Sequence, residues 1–265
     1  MARQAPVTKT PNPAVHFFEW AGGGDGGFVS YYDKNATAQD GTKGANVKCP
    51  TPFSFLVLDE LATVKGWHDS SDSGIYANEV RDTRGEVFVV KAFKGGVIAS
   101  GFYSEIRDRV NAAGGYYTAT VYVGFKENNQ LKIGAIQFKG AALNAWVEFR
   151  KEAGGKLWEN AVVVTGFVDG KKGSIKFRTP TFALKPVSKE TDDAAGLLQE
   201  ALKAYHVEYF ARTRTEQAAH APAAPTPTPV GEHQQHSPPD APQQDGPPDQ
   251  EPEMPPLRDD TDVPF

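Results

Sequence analysis

Two kinds of side chain could do chemistry in this chain, and the first drops out quickly. Catalysis needs a nucleophile, a base or a metal cluster at fixed spacing, and no GxSxG, HExxH or HxE…CxxC pattern occurs. The glycine run GGGDGG at 22–27 lacks the Lys-Ser/Thr that a phosphate loop requires, and reads as a turn. Asp69 and Asp72 sit in the polar stretch HDSSDSG, a setting for solvated carboxylates rather than catalytic ones. The six histidines are scattered, and the one cysteine, Cys49, has neither a disulfide partner nor a CxxC mate for zinc. The sequence therefore points to no enzyme activity, no metal and no cofactor.

Aromatic rings set among bases are the second kind. The segment YYTATVYVGFK puts Tyr116, Thr118, Thr120, Tyr122, Gly124 and Lys126 on one face of a strand. Tyr117, Ala119, Val121, Val123 and Phe125 fall on the other face and read as core. Tyrosines, hydroxyls and a lysine make an odd surface if they meet only water. Neighbouring segments add Trp67 beside Lys65, Tyr76, then Lys91, Phe93 and Lys94, with Arg107 and Lys132 further along. Rings that stack on bases, flanked by cations for phosphates, are what single-stranded nucleic acid needs. No sequence code is involved, because every base has a π face. The expected stacking set is Trp67, Tyr76, Phe93, Tyr116 and Tyr122. The expected phosphate set is Lys65, Lys91, Lys94, Arg107, Lys126 and Lys132. The competing account is that these rings pack the interior.

The elements that would carry these residues are mostly strands. Short runs of aromatic and β-branched residues, broken by turn residues, predict strands over 28–33, 53–61, 75–80, 86–93, 97–102, 116–125, 131–139, 161–169 and 174–184. The stretches KGG (94–96), ENNQ (127–130) and DGKKG (169–173) supply hairpin turns. Helices are predicted over 104–113, 141–155 and 191–213. In the last, Leu198, Leu202, Tyr205 and Tyr209 form one apolar stripe, which must dock on the sheet or on a second subunit. The fold expected is mainly β with a few helices. It fits an OB-fold-like antiparallel barrel with insertions, the first helix plugging the barrel; a β-sandwich with peripheral helices gives much the same pattern.

Charge divides the chain. Residues 218–265 hold 13 of the 20 prolines, nine acids and one base, for a net of −8. The whole chain is −5, which leaves +3 on residues 1–217. A stretch so poor in large apolar side chains cannot offset its ordering entropy, so it is expected to be disordered. The expected layout is a flexible arm (1–14), a binding domain (15–188), a helix (189–215), a Pro/Gln-rich linker (216–258) and an acidic tip (259–265). No apolar run approaches 18 residues, so no membrane span is expected. The N-terminus lacks the apolar core of a secretory signal, and a cytoplasmic protein is expected.

The last seven residues, DDTDVPF, carry a resemblance. They are similar to the acidic C-terminal tip of bacterial single-stranded DNA-binding proteins, which close on aspartates, an aliphatic residue, proline and phenylalanine. Asp259, Asp260 and Asp262 match the acids, Val263 the aliphatic position, and Pro264 and Phe265 the final pair. Thr261 interrupts the acidic run, which weakens the electrostatic part of the match. The body, longer than a standard bacterial member, looks more like the divergent proteins of this kind encoded by bacteriophages. The resemblance implies an OB-like body that coats single-stranded DNA during replication, recombination or repair. It also implies a tip that recruits the proteins of those processes, and it leaves homo-oligomer formation open. An alternative is an interaction protein that binds no DNA and mimics such a tip to capture host proteins.

Overall fold

The structure is a computed structural model and describes residues 10–220, with side chains as far as Arg214. Of the expected linker (216–258) and tip (259–265), residues 221–265 lie outside the described residues, while 216–220 continue the last helix instead of beginning a disordered stretch. Residues 1–9 of the expected arm also lie outside the described residues. Eleven strands are present among the described residues: β1 (Phe17–Ala21), β2 (Phe28–Thr37), β3 (Lys43–Lys48), β4 (Phe53–His68), β5 (Ser73–Ala77), β6 (Phe88–Ala92), β7 (Gly96–Gly101), β8 (Gly115–Glu127), β9 (Gln130–Lys139), β10 (Asn160–Lys172) and β11 (Ile175–Pro186). Three α-helices join them: α1 (Tyr103–Ala112), α2 (Gly140–Ala153) and α3 (Lys189–His220).

All the strands belong to one sheet, ordered β3-β2-β1-β9-β8-β4-β5-β6-β7, with β10 pairing β4 and β11. The sheet is mixed rather than purely antiparallel, because β1 runs parallel to β9 through Phe17↔Ala135 and Glu19↔Gln137. Short β1 and β3 were not legible as strands; β1 is five residues and β3, KGANVK, holds only two apolar side chains, Ala45 and Val47. β4 is also longer than expected, since the run TVKGWH continues the strand through Gly66 to His68. The β8–β9 hairpin turns on Asn128 and Asn129, with φ of 51° and 62°. Asparagine tolerates that left-handed conformation, and two such residues in sequence match the twist of the flanking strands.

β4 and β8 organise the core because both of their faces are buried. On one face, Val57, Val121, Val123, Phe125, Ile136 and Phe138 pack with Trp146 of α2. Further along that face, Val64, Ile75 and Val90 pack with Ile106 and Val110 of α1. The opposite face carries Leu56, Leu58, Leu61, Tyr122 and Ile133, and α3 lies over it through Leu202 and Tyr205. The apolar stripe of α3 is therefore covered by the chain's own sheet. The expected arm is partly anchored as well. Ala14 packs against the same cluster, Asn12 donates to the Tyr122 hydroxyl at 3.1 Å, and Thr10 bonds Glu208.

Leu202 is 1% exposed at the centre of this contact. Leu202→Ala should destabilise the protein by roughly 2–5 kcal/mol, the usual cost of an unfilled buried leucine. A urea denaturation comparison with the unsubstituted chain measures it.

Candidate nucleic-acid interface

The cross-strand register gathers more than half of the expected residues at one end of the sheet. Tyr116 of β8 lies opposite Lys65 of β4, Lys65 opposite Tyr76 of β5, and Tyr76 opposite Lys91 of β6. Directly opposed residues point to the same face, so tyrosine, lysine, tyrosine and lysine alternate across four strands. One step along, Trp67 pairs with Gly74, and the Phe93 amide donates to the Gly74 carbonyl at 3.1 Å. Core residues Val64, Ile75 and Val90 occupy the opposite face. Strand alternation thus turns this row away from that cluster.

Phe93 is 73% exposed, the treatment of a phenylalanine that nothing in its own fold requires. Its ring stacks on Tyr76 with centroids 4.5 Å apart and planes 29° from parallel. Gly74 makes room for it: a Cβ there would meet the Phe93 ring at 3.3 Å. Lys94 is held at the edge, its amide donating to Ser73 Oγ at 3.1 Å and its ammonium to the Asp72 carbonyl at 3.2 Å. Ser73 in turn bonds Ser71, which bonds His68 Nδ1 at 2.7 Å. The polar turn HDSSDSG is therefore a bracket for the aromatic end. Its exposed Asp69 and Asp72 moderate the positive field there.

Four expected residues are elsewhere. Tyr122 is 0% exposed beneath α3, where its hydroxyl donates to Glu79 at 2.8 Å, so it cannot stack on a base. Thr118 and Thr120 are buried beside it. The correction has a plain cause: the face that strand alternation left over is the one the α3 stripe covers. Arg107 is exposed on α1, the helix packed against the opposite face, and pairs with Asp108. Lys126 stands ten residues along β8 from Tyr116, about 33 Å at the usual strand rise. Lys132, at the same far end, pairs with Glu127 at 2.6 Å.

Under α3 a polar network ties the helix to the sheet edge beside the aromatic row. His206 Nδ1 donates to Asp59 at 3.0 Å, and Arg81 grips the same carboxylate with two bonds of 2.8 and 2.6 Å. The Glu79 amide donates to the Tyr209 hydroxyl at 2.7 Å. Burial pushes the Glu79 carboxyl above its ordinary value, more than the Tyr122 hydrogen bond lowers it. Burial also acts to raise Asp59, but the bonds from His206 and Arg81 outweigh it and hold that carboxyl well below the usual range. Sequence spacing carries no signal for this network, since its members come from four distant segments.

Among the described residues, no group of three or more His, Cys, Asp or Glu could hold a metal ion, and no helix is long and apolar enough to cross a membrane. The turn stretch DGKKG is also basic, and the strands around it add Lys176 and Arg178. The chain matches no family model, no curated protein and no solved structure.

A depressed carboxylate stabilises the fold above its unfolded value, about pH 4, and loses that contribution as pH falls towards its folded value. Asp59→Asn should therefore lower stability at neutral pH, and the gap to the unsubstituted protein should narrow as pH drops below about 4. Denaturant melts across that range measure both curves.

Proposed function

We propose that this protein binds single-stranded DNA with little sequence preference, on an OB-like body of the divergent bacteriophage kind. The interface is Lys65, Trp67, Tyr76, Lys91, Phe93, Lys94 and Tyr116. The observation that carries this reading is the exposed Phe93–Tyr76 stack set between Lys65 and Lys91. Stacked rings on a β surface offer bases a sequence-tolerant platform, and the interleaved ammonium groups lie where a backbone would pass. The OB-like assignment is supported by the long β4, which pairs with β8, β5 and β10, and by α1, inserted between β7 and β8 and packed on the inner cluster.

The test is titration with oligo(dT), followed through tryptophan fluorescence. Phe93→Ala and Tyr76→Ala should each weaken binding about 5- to 150-fold, the loss of roughly 1–3 kcal/mol of stacking. Affinity should fall with salt, with a slope near −0.7 per phosphate neutralised. Trp67→Phe should remove most of the quenching. A protein that binds no oligo(dT) at low salt overturns the reading. If such a protein still captured partners through its last residues, tip mimicry would take its place.

Recruitment of replication, recombination or repair proteins through Asp259, Asp260, Asp262, Val263, Pro264 and Phe265 belongs to the same proposal and rests on their sequence alone. A terminal ring suits an apolar pocket, the aspartates suit a basic rim, and a long linker raises the local concentration of whatever docks. Deleting Phe265 should leave oligo(dT) affinity unchanged and abolish partner capture in a pull-down. Loss of DNA binding instead would count against a separate tip function.

A further inference from the structure

β10 and β11 continue beyond the body of the sheet. Val162–Val164 pair with both β11 and the start of β4, but from Thr165 outward β10 has β11 as its partner strand among the described residues. The result is a two-stranded ribbon, 165–178, that turns at Gly173. Two strands alone are marginal in water, so the base needs bracing. The glycine run supplies it. The Arg178 amide donates to the Gly22 carbonyl at 2.7 Å, and its guanidinium to the Gly26 carbonyl at 2.5 Å. Trp20 Nε1 donates to the Arg178 carbonyl at 2.7 Å, and the guanidinium lies 4.4 Å over the Phe167 ring. Gly27 is obligatory, since its φ is 98° and a Cβ would strike that ring at 2.5 Å.

Beyond this brace the ribbon breaks a rule of sheet stability. Lys171 and Lys176, both exposed, occupy directly opposed positions, where like charges repel. The ribbon holds Lys171, Lys172, Lys176 and Arg178 against a single acid, Asp169, for a net of +3. Lys171, Lys176 and Phe177 border a cleft of about 550 Å³ that also meets Asp25 and Asp169. A repulsion built into a braced arm calls for an anion across it.

We propose that the 165–178 ribbon is a second phosphate-binding surface for the same single strand, an inference that rests on the function proposed above. The ribbon leaves the sheet at Phe53, and the aromatic row sits at the other end of β4, near Trp67. Fourteen residues separate them, at most about 46 Å along the strand. A DNA that meets both must therefore be longer than one that fills the aromatic row.

The full-length protein carrying Lys171→Ala and Lys176→Ala is titrated with oligo(dT) of about 8 nucleotides, within the usual range for one such surface, and of about 40, well beyond it. Affinity for the long strand should fall about tenfold, and its salt slope should shrink by about 1.4, two phosphates at 0.7 each. Affinity for the short strand should not change. Without DNA the melting temperature of the double variant should stay level or rise, because the repulsion is gone; Lys176→Glu, which creates a cross-strand ion pair, should raise it while weakening long-strand binding. A long-strand affinity and slope equal to those of the unsubstituted protein overturn the proposal. So does loss of short-strand binding, which would make the ribbon the primary surface. If the unsubstituted protein binds neither length, the underlying function fails instead, a result distinct from either.

Discussion

β4 is the constraint on which the rest of the structure depends. Its sixteen residues pair with β10 at the start, β8 through the middle and β5 at the end. The middle cannot face water on either side, because Leu56, Leu58 and Leu61 point one way while Phe55, Val57 and Val64 point the other. Two layers are then compulsory, α1 and α2 on one face and α3 on the other. Only the ends of the strand escape this double cover, and both proposed DNA-binding surfaces lie there.

The same constraint explains why polar groups lie under α3. A helix that must cover Tyr122 also desolvates Glu79, and a desolvated carboxylate without partners would be costly. The structure meets that cost with the Tyr122 hydroxyl on Glu79 and by raising the carboxyl's proton affinity. Asp59 is handled in the opposite way, as an anion shared by His206 and Arg81. The two acids therefore respond to pH in opposite directions. Glu79 contributes most in acid and loses that contribution as pH rises through its raised value, whereas Asp59 contributes above the ordinary carboxylate range.

How much of this was legible beforehand depended on whether the signal was local. Every expected strand and helix has a counterpart, because apolar alternation and turn residues are local. The Lys65–Tyr76–Lys91 row was legible as residue types but not as a row, since register is set by pairing between segments. Tyr122 shows the limit of a local signal. Its strand offered two faces, one plainly core, and the other was taken for surface because nothing nearby in sequence covered it. The cover came from α3, some eighty residues later, whose apolar stripe had called for a sheet or a second subunit to dock on. Reading the two signals together would have buried Tyr122. β1 lacked even that much, being too short to show a period of two.

Lys171 and Lys176 mark a different limit. In sequence they are two bases near a turn, and turn residues are expected to be polar. Only the pairing of β10 with β11 sets them opposite one another, and beyond the Gly23–Phe177 bridge no further strand flanks the ribbon among the described residues. An ordinary solvated hairpin would place an acid at one of the two positions, as the ribbon itself does two residues away, where Asp169 faces Arg178. The neutralised pair sits at the braced base and the repelling pair sits outward of it. That order fits an arm whose root is built for the fold and whose outer half is built for a polyanion.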